Sequence, residues 1–352
     1  MGETVSVLLP MFSICIPAYN RSRHLSDLLD SIFSQDFGSY KVVICEDDSP
    51  ERNQIEKIVR QYEQQWPNKI DYYANATNLG FDGNLRELVA RSEGRFCFFM
   101  GNDDVLCPGA LRHTAELIER HENVGLVLKS YAWFEETRDR LSQTVRYFEN
   151  ERYFHAGREA IGVCFRRSGV ISGYVVDREE ALRAATDKFD GTLYYQMHLT
   201  ASVLCKKAAV ATPRVLVLCR DGEPPDFGNS EREVAVYTPG RYTPQARLSM
   251  IGGVLAIIKN LKESSGIDLV DDVIRDYANY FYLCIRDQLS LPPREFWELY
   301  RKFAQLGFSK YPSFHAYCII AYILGQKNCD NAIRLIRRVL GRSPRWGTAR
   351  SV

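Results

Sequence analysis

No apolar run in this 352-residue chain approaches the ~20 residues needed to cross a bilayer, so a membrane-spanning architecture is not expected. Charge of one sign is equally lacking. Lys plus Arg number 45 against 44 Asp plus Glu, a formal net charge of +1. Nothing there pulls the chain toward nucleic acid, no RNA- or DNA-binding signature appears, and no nucleic-acid partner is expected. Histidines number six and are dispersed, which argues against a zinc hydrolase. No GxGxxG follows the first strand, which argues against a Rossmann dehydrogenase. The ten cysteines form no CxxC pair and no framework spacing. Most sit inside apolar runs such as Ser13-Ile14-Cys15-Ile16, and they read as buried, reduced thiols of a cytoplasmic protein. The apolar start, Val5 to Ile16, has neither a basic n-region nor a small-residue cleavage site, so it is not read as a signal peptide. There is no internal repeat.

What is present is alternation. Phe12 to Pro17 reads as a strand, Ser22 to Ser34 as a helix, Lys41 to Cys45 as a strand and Glu51 to Gln65 as a helix. Ile70 to Ala74, Asp82 to Ser92, Arg95 to Met100, Pro108 to His121 and Val124 to Ser130 continue the alternation. This pattern predicts an α/β fold: a Rossmann-like, mostly parallel sheet with helices on both faces. Residues 131–168 are less regular and suit a hairpin or an insertion. Val170 to Val176 reads as a strand, a helix starts at Arg178, and a further helix over Thr192 to Lys206 precedes a strand over Val210 to Leu218. "RDGEPPDFGNSERE" reads as a mobile loop. From Pro244 onward the pattern is helical: Gln245 to Ser264, Leu269 to Ser290, Pro293 to Leu306, Ser313 to Gly325 and Cys329 to Leu340. A boundary near residue 240 separates residues 1–240 from a helical region, 241–352.

Right-handed crossovers place the C-terminal ends of parallel strands on one edge, where open α/β sheets bind ligands. The polar clusters fall at those ends: Tyr19-Asn20, Glu46-Asp47-Asp48, Asn75 with Asn78, and Asn102-Asp103-Asp104. Each alone would serve as turn or cap chemistry. Four on one rim point to a polar ligand or a metal. The last is the most telling, because a buried run, Arg95 to Met100, ends on two adjacent carboxylates that repel each other and resist desolvation.

"FSICIPAYNR", "VVICEDDSP", "NLGFDGN" and "FFMGNDDVLCPGAL", in that order and spacing, resemble the family 2 glycosyltransferases of the GT-A fold. Within these, the chain is most similar to the abequosyltransferase-like branch of bacterial surface-polysaccharide enzymes, over roughly residues 10 to 220. The resemblance implies transfer of a sugar, with inversion, from a nucleotide-diphosphate donor to a glycan or polyprenyl-linked oligosaccharide. It implies that Pro17, Ala18, Tyr19 and Asn20 line the nucleotide pocket and that Asp47, beside Asp48, takes the base or ribose. Asn78 and Gly80 would open the next helix near the nucleotide, with Asn84 one turn into it. Asp103, beside Asn102, would occupy the metal position of the family's Asp-x-Asp, followed by Asp104. Mg²⁺ or Mn²⁺ would then bridge carboxylate and diphosphate.

Two departures stand out. Gly101 replaces the first Asp of Asp-x-Asp. The acidic pair that carries the family's general base falls on Tyr195 and Gln196, which leaves Asp190 or His198 as the base. Asp190 reads equally as a helix cap, and His198 as a packing residue. Alternatives of other classes are a non-catalytic glycosyltransferase-like scaffold and a sugar-phosphate nucleotidyltransferase. The latter would show a Gly-rich basic loop where "IPAYNRSRH" stands. Ile333 to Arg350 carries six arginines and no acid, suited either to an anionic membrane surface or to a solvated terminus. The expected location is cytoplasmic, with a peripheral place on the inner face of the plasma membrane.

Overall fold

A computed structural model describes residues 9–340, the last four of them by backbone alone. Most of the arginine-rich stretch named above lies outside the described residues. β1 (Phe12–Ala18), β2 (Tyr40–Glu46), β3 (Ile70–Ala74) and β4 (Phe96–Phe99) pair in parallel in the order β3-β2-β1-β4. β1 is a nearly continuous apolar run and is buried along its length, as a strand covered on both faces must be. The crossovers are α1 (Ser22–Phe33), α2 (Arg52–Gln65) and α3 (Gly80–Arg91). In α1 the buried positions Leu25, Leu28, Leu29 and Ile32 recur at helical spacing and face the sheet.

Next come β5 (Val105–Leu106), α4 (Ala110–Glu119), β6 (Val124–Phe134), β7 (Leu141–Val145) and β8 (Arg152–Phe154). They are followed by α5 (Arg158–Cys164), β9 (Tyr174–Asp177), α6 (Arg178–Arg183), α7 (Tyr195–Val203) and β10 (Ala208–Arg220). The main sheet path runs β3-β2-β1-β4-β9-β6-β10-β5. β6 pairs with β10 in parallel, but β9 is antiparallel to both neighbours. β9 is also shorter than the sequence suggests. Gly173, at φ 76°, turns the chain just before it, so residues 169–173 lie at the sheet edge where β4 ends. The irregular 131–168 region contains the expected hairpin, with β7 antiparallel to β6.

The helical region comprises α8 (Pro244–Ser265), α9 (Val270–Ala278), α10 (Tyr282–Ile285), α11 (Pro293–Gln305) and α12 (Pro312–Leu340). The single helix expected over Leu269 to Ser290 is interrupted after Ala278, and Phe281 packs among Phe303, Phe308 and Phe314 at ring-centroid distances of 4.7–5.1 Å. The two helices expected at the C-terminal end are both present in α12, separated at Gly325, whose φ of 72° and ψ of 166° are not helical. α8 serves two cores. Val254, Ile257, Ile258 and Leu261 pack with the α7 side of the sheet, while Ile251 and Leu255 pack with α9 to α12.

Candidate active site

The strand ends bring most of the expected polar residues to one rim. Asp47, just past β2, ties to β1 through its N–H, which donates to Ala18 O at 3.0 Å. Its Oδ1 accepts from the Asn75 amide (2.8 Å) and the Leu79 N–H (2.9 Å). Burial pushes this carboxyl up to about 6, although the two donors pull the other way. Pro17 and Tyr19 are half-buried beside it, and Ala18 is buried. Burial raises the Tyr19 phenol, and the charges of Asp226, Asp47 and Glu233 raise it further. Asp48 points outward, paired with Arg52 at 3.3 Å. Asn78 Oδ1 accepts from the Gly80 N–H (2.9 Å), which opens α3 with Gly80 at φ 76°. Asn84 is turned inward instead. Its amide donates to Cys45 O (3.1 Å) and its oxygen accepts from Asn75 (3.2 Å), so it stitches α3 to β2.

At the end of β4, the Asn102 amide donates to Asn20 O (2.8 Å) and so joins the ends of β4 and β1. The Asp103 side chain is 10% exposed, and its Oδ2 accepts from Arg21 Nη1 at 2.5 Å. Both oxygens of the neighbouring acid, Asp104, are engaged: Ser172 Oγ donates to Oδ2, and the Arg220 N–H donates to Oδ1 at 2.7 Å. Burial, then the charge of Asp103, pushes the Asp104 carboxyl up to about 7. The two adjacent acids therefore resolve into one carboxylate paired with a cation and one carboxyl inclined to keep its proton.

Gly101 has a steric reason. A Cβ there would lie 3.0 Å from Asp104 Oδ2, 3.1 Å from Ser172 Oγ and 3.2 Å from Asp103 Oδ1. Among the described residues no group of three or more His, Cys, Asp or Glu side chains could hold a metal ion. Asp103, with a hard carboxylate at the rim now paired with Arg21, would fit a divalent cation if a diphosphate supplied its other ligands.

Neither expected base joins this rim. The Asp190 side chain is 3% exposed and clamped by Arg86 through both carboxylate oxygens (Nη2 to Oδ2, 2.9 Å), with Arg232 Nη1 at 3.2 Å. His198 donates from Nε2 to Ala184 O (2.8 Å) and packs on Phe189 and Tyr195. Burial lowers its pKa, and it lines a separate cavity of about 360 Å³ with Glu180, Ser202 and Leu261. At the positions of the family's acidic pair, Tyr195 Oη and Gln196 Oε1 are buried with no hydrogen-bond partner.

Several rim residues escaped the sequence reading. Arg21 stands in the quoted "PAYNR" and could have been chosen as a cation next to expected acids. Asp82, in "NLGFDGN", accepts the N–H groups of Leu193 and Tyr195 (both 2.8 Å) and so fixes the start of α7. Ser172, Arg220, Asp226 and Glu233 carry no local signal. They arrive through β9, the end of β10 and the segment after it. That segment, expected to be a mobile loop, is pinned to the rim: Glu223 pairs with Arg23 (2.7 Å), Asp226 with Arg21 (3.2 Å), and Glu233 Oε1 accepts the Phe81 N–H (2.8 Å).

Residues 13–179 match the family model described as glycosyl transferase family 2. Abequosyltransferase RfbV of Salmonella typhimurium is 33% identical over 101 residues, 29% of this chain and 30% of that protein. Poly(ribitol-phosphate) beta-N-acetylglucosaminyltransferase TarS of Staphylococcus aureus is 31% identical over 121 residues, 34% of this chain and 20% of that one. The matched segments thus span less than a third of these relatives' length. The crystal structure of S. aureus TarS 1-349 in complex with UDP-GlcNAc shares the fold, with a TM-score of 0.51 at 15% identity over 91% of this chain and 92% of that chain. Mannosyltransferase PcManGT from Pyrobaculum calidifontis, in complex with GDP-Man and Mn²⁺, gives 0.50 at 15% identity over 90% and 87%. The fold is therefore GT-A, and residues 13–179 of the chain are similar to glycosyl transferase family 2.

Proposed function

We propose that this protein transfers a sugar from a nucleotide-diphosphate donor to a hydroxyl of a glycan or lipid-linked oligosaccharide in bacterial surface-polysaccharide synthesis, with inversion at the anomeric carbon. The observation that carries this reading is the meeting of Asp47, the Asn78–Gly80 turn and Asp103 on one rim, at the ends of three parallel strands. Asp47 would accept from a ring N–H or a ribose hydroxyl, beside Tyr19 and the start of α3. Asp103 would hold Mg²⁺ or Mn²⁺, which when bound supplies positive charge to a departing nucleoside diphosphate. A divalent ion is also in keeping with the Mn²⁺ bound by the mannosyltransferase neighbour. Single displacement puts the acceptor and its base on the opposite side of the sugar from the diphosphate. Residues 169–173 and the start of α7 would supply that side. Asp190 is a carboxylate near this region, and it would serve as base only once Arg86 and Arg232 release it.

Residues 1–240 would form the catalytic unit and 241–352 a helical unit. As a further partner we propose an anionic membrane surface. α12 exposes Ile319, Ile320, Ile323 and Leu324, and the chain beyond is rich in arginine. No helix among the described residues is long and apolar enough to cross a membrane.

The test of the main reading is a panel of nucleotide sugars, scored by melting-temperature rise with and without Mn²⁺ and by turnover of any donor that binds. A ligand bound only by the folded chain at 100 times its Kd should contribute about 2.7 kcal/mol. Asp103→Ala should abolish transfer and keep the native melting transition. Undiminished turnover by that variant would defeat the assignment of Asp103.

A further inference from the structure

Assigning Asp103 to a cation leaves Arg21 unexplained. Asn20 and Arg21 are consecutive non-glycine residues in the left-handed region, at φ 53° and 57°. Asparagine adopts that backbone readily, but it is disfavoured for Arg21, and it persists where surrounding contacts over-determine it. The contacts are at hand. The Asn102 amide holds Asn20 O, and the turn directs the Arg21 guanidinium inward, leaving its side chain 19% exposed. Three of its nitrogens are engaged: Nη1 on Asp103 Oδ2 (2.5 Å), Nε on Asp226 Oδ2 (3.2 Å) and Nη2 on Pro224 O (2.6 Å). A single guanidinium therefore couples the carboxylate at the end of β4 to the segment 221–237.

That segment lies over the nucleotide side of the rim. A Cβ on Gly80 would come within 2.5 Å of Ser230 Oγ and 2.7 Å of Glu233 Oε1. Glu233 receives the Phe81 N–H at the opening of α3, and Asp226 and Glu233 both bear on Tyr19. The donor's phosphates would thus meet Asp103, Asp226 and Glu233. Such an acidic site accepts a diphosphate only if positive charge enters with it or is already there. Arg21 is already there, paired with the oxygen a metal would take.

We propose that Arg21 is the resident counter-ion of Asp103, that a divalent cation competes with it for that carboxylate, and that its displacement loosens the 221–237 segment at Pro224 and Asp226 while the guanidinium turns to the donor phosphates. The proposal rests on the assignment of Asp103 made above. Two cations on one carboxylate oxygen repel each other, whereas an arginine fork suits phosphate oxygens. Metal and nucleotide should therefore bind cooperatively: the nucleotide gives the displaced guanidinium a new partner, and the metal loosens the strap that covers the nucleotide turn.

The experiment compares the full chain with Arg21→Gln, Arg21→Lys and Asp226→Asn. It titrates Mn²⁺ without nucleotide by electron paramagnetic resonance of the free ion, and follows amide hydrogen exchange across 221–237 in the metal-free proteins. R21Q should bind Mn²⁺ up to about fivefold more tightly, the scale of one lost ion-pair competitor, and should exchange faster in the segment. R21K should retain weak Mn²⁺ binding. D226N should exchange faster in the segment with no gain in Mn²⁺ affinity, because its Arg21–Asp103 pair is intact. Equal Mn²⁺ affinity in R21Q and the parent chain would overturn the competition, and unchanged exchange in both R21Q and D226N would overturn the tether. If no protein binds Mn²⁺ even with UDP or GDP present, the assignment of Asp103 falls first and takes the competition with it, while the exchange data still decide the tether.

Discussion

At the scale of single residues, burial and pairing decide what each acid can do. Asp82 is fully enclosed, and burial pushes its carboxyl up to about 7 from an ordinary value near 3.8, despite the N–H groups of Tyr195 and Leu193. An unfolded chain releases this proton near pH 4, whereas the folded chain holds it to about pH 7. The stability it contributes is therefore complete below pH 4 and is lost as pH rises through 7. Asp82→Asn should flatten the fall in melting temperature between pH 4 and pH 7, as read by thermal melts across that range. Gly101→Asp would restore the family's motif letter by letter, yet its Cβ presses on Asp104, Ser172 and Asp103 and adds a third carboxylate beside two. The expected result is a loss of about 1–3 kcal/mol, the usual range for overpacking, with no gain in Mn²⁺ affinity. For the two expected bases, Asp190→Ala should cost about 1.5–3 kcal/mol by stripping Arg86 of charge-assisted hydrogen bonds. His198→Ala should leave kcat within a few-fold, because its partners lie off the rim. A drop in kcat of about 10²-fold or more, the contribution typical of a general base, would reinstate it.

Elements were legible in the sequence where their pattern was local. β1 to β4 and α1 to α3 follow from runs such as Phe12-Ser13-Ile14-Cys15-Ile16 and from the 3.6-residue spacing in α1. Their boundaries shift by a residue or two because ends are set by contacts rather than by pattern. Of the rim carboxylates, Asp47, Asp103 and Asp104 followed from strand direction, because they sit at the C-terminal ends of β2 and β4. The reversal of β9 was not legible, since an apolar run such as Tyr174-Val175-Val176 suits a strand of either sense, and only pairing fixes the direction. Nor was the break after Ala278, where the gain comes from Phe281 meeting three distant rings. The glycine in α12 marks the corresponding element-scale test. Gly325 holds φ 72° and ψ 166°, a conformation essentially restricted to glycine. Gly325→Ala should cost about 1–3 kcal/mol on that account, measured by denaturant unfolding. A neutral result would mean that α12 can straighten.

At the scale of the whole molecule, the candidate site is an assembly of distant sequence segments. The rim joins residue 21 to 103 and 226, and residue 104 to 172 and 220. Sequence motifs disclosed the half built by successive parallel strands. The half built by β9, β10 and the segment after it depends on long-range packing. The exposed α12 face gives a test at this scale. Ile320→Asp with Ile323→Asp should keep the melting transition and lose co-sedimentation with phosphatidylglycerol vesicles; retained co-sedimentation would count against the membrane partner.

α8 belongs to the sheet and to the helical core at once, and Gly253 lets it lie so close to Thr192 that a Cβ would sit 2.7 Å from that side chain. The segment leading into α7 thus rests directly on the first helix of the C-terminal unit. Anyone grafting a different helical cap onto the sheet-bearing half, or trimming the chain for crystallisation, would have to cut after Gly266 rather than at the apparent seam near 240. A cut at the seam would strip the segment leading into α7 of its backing.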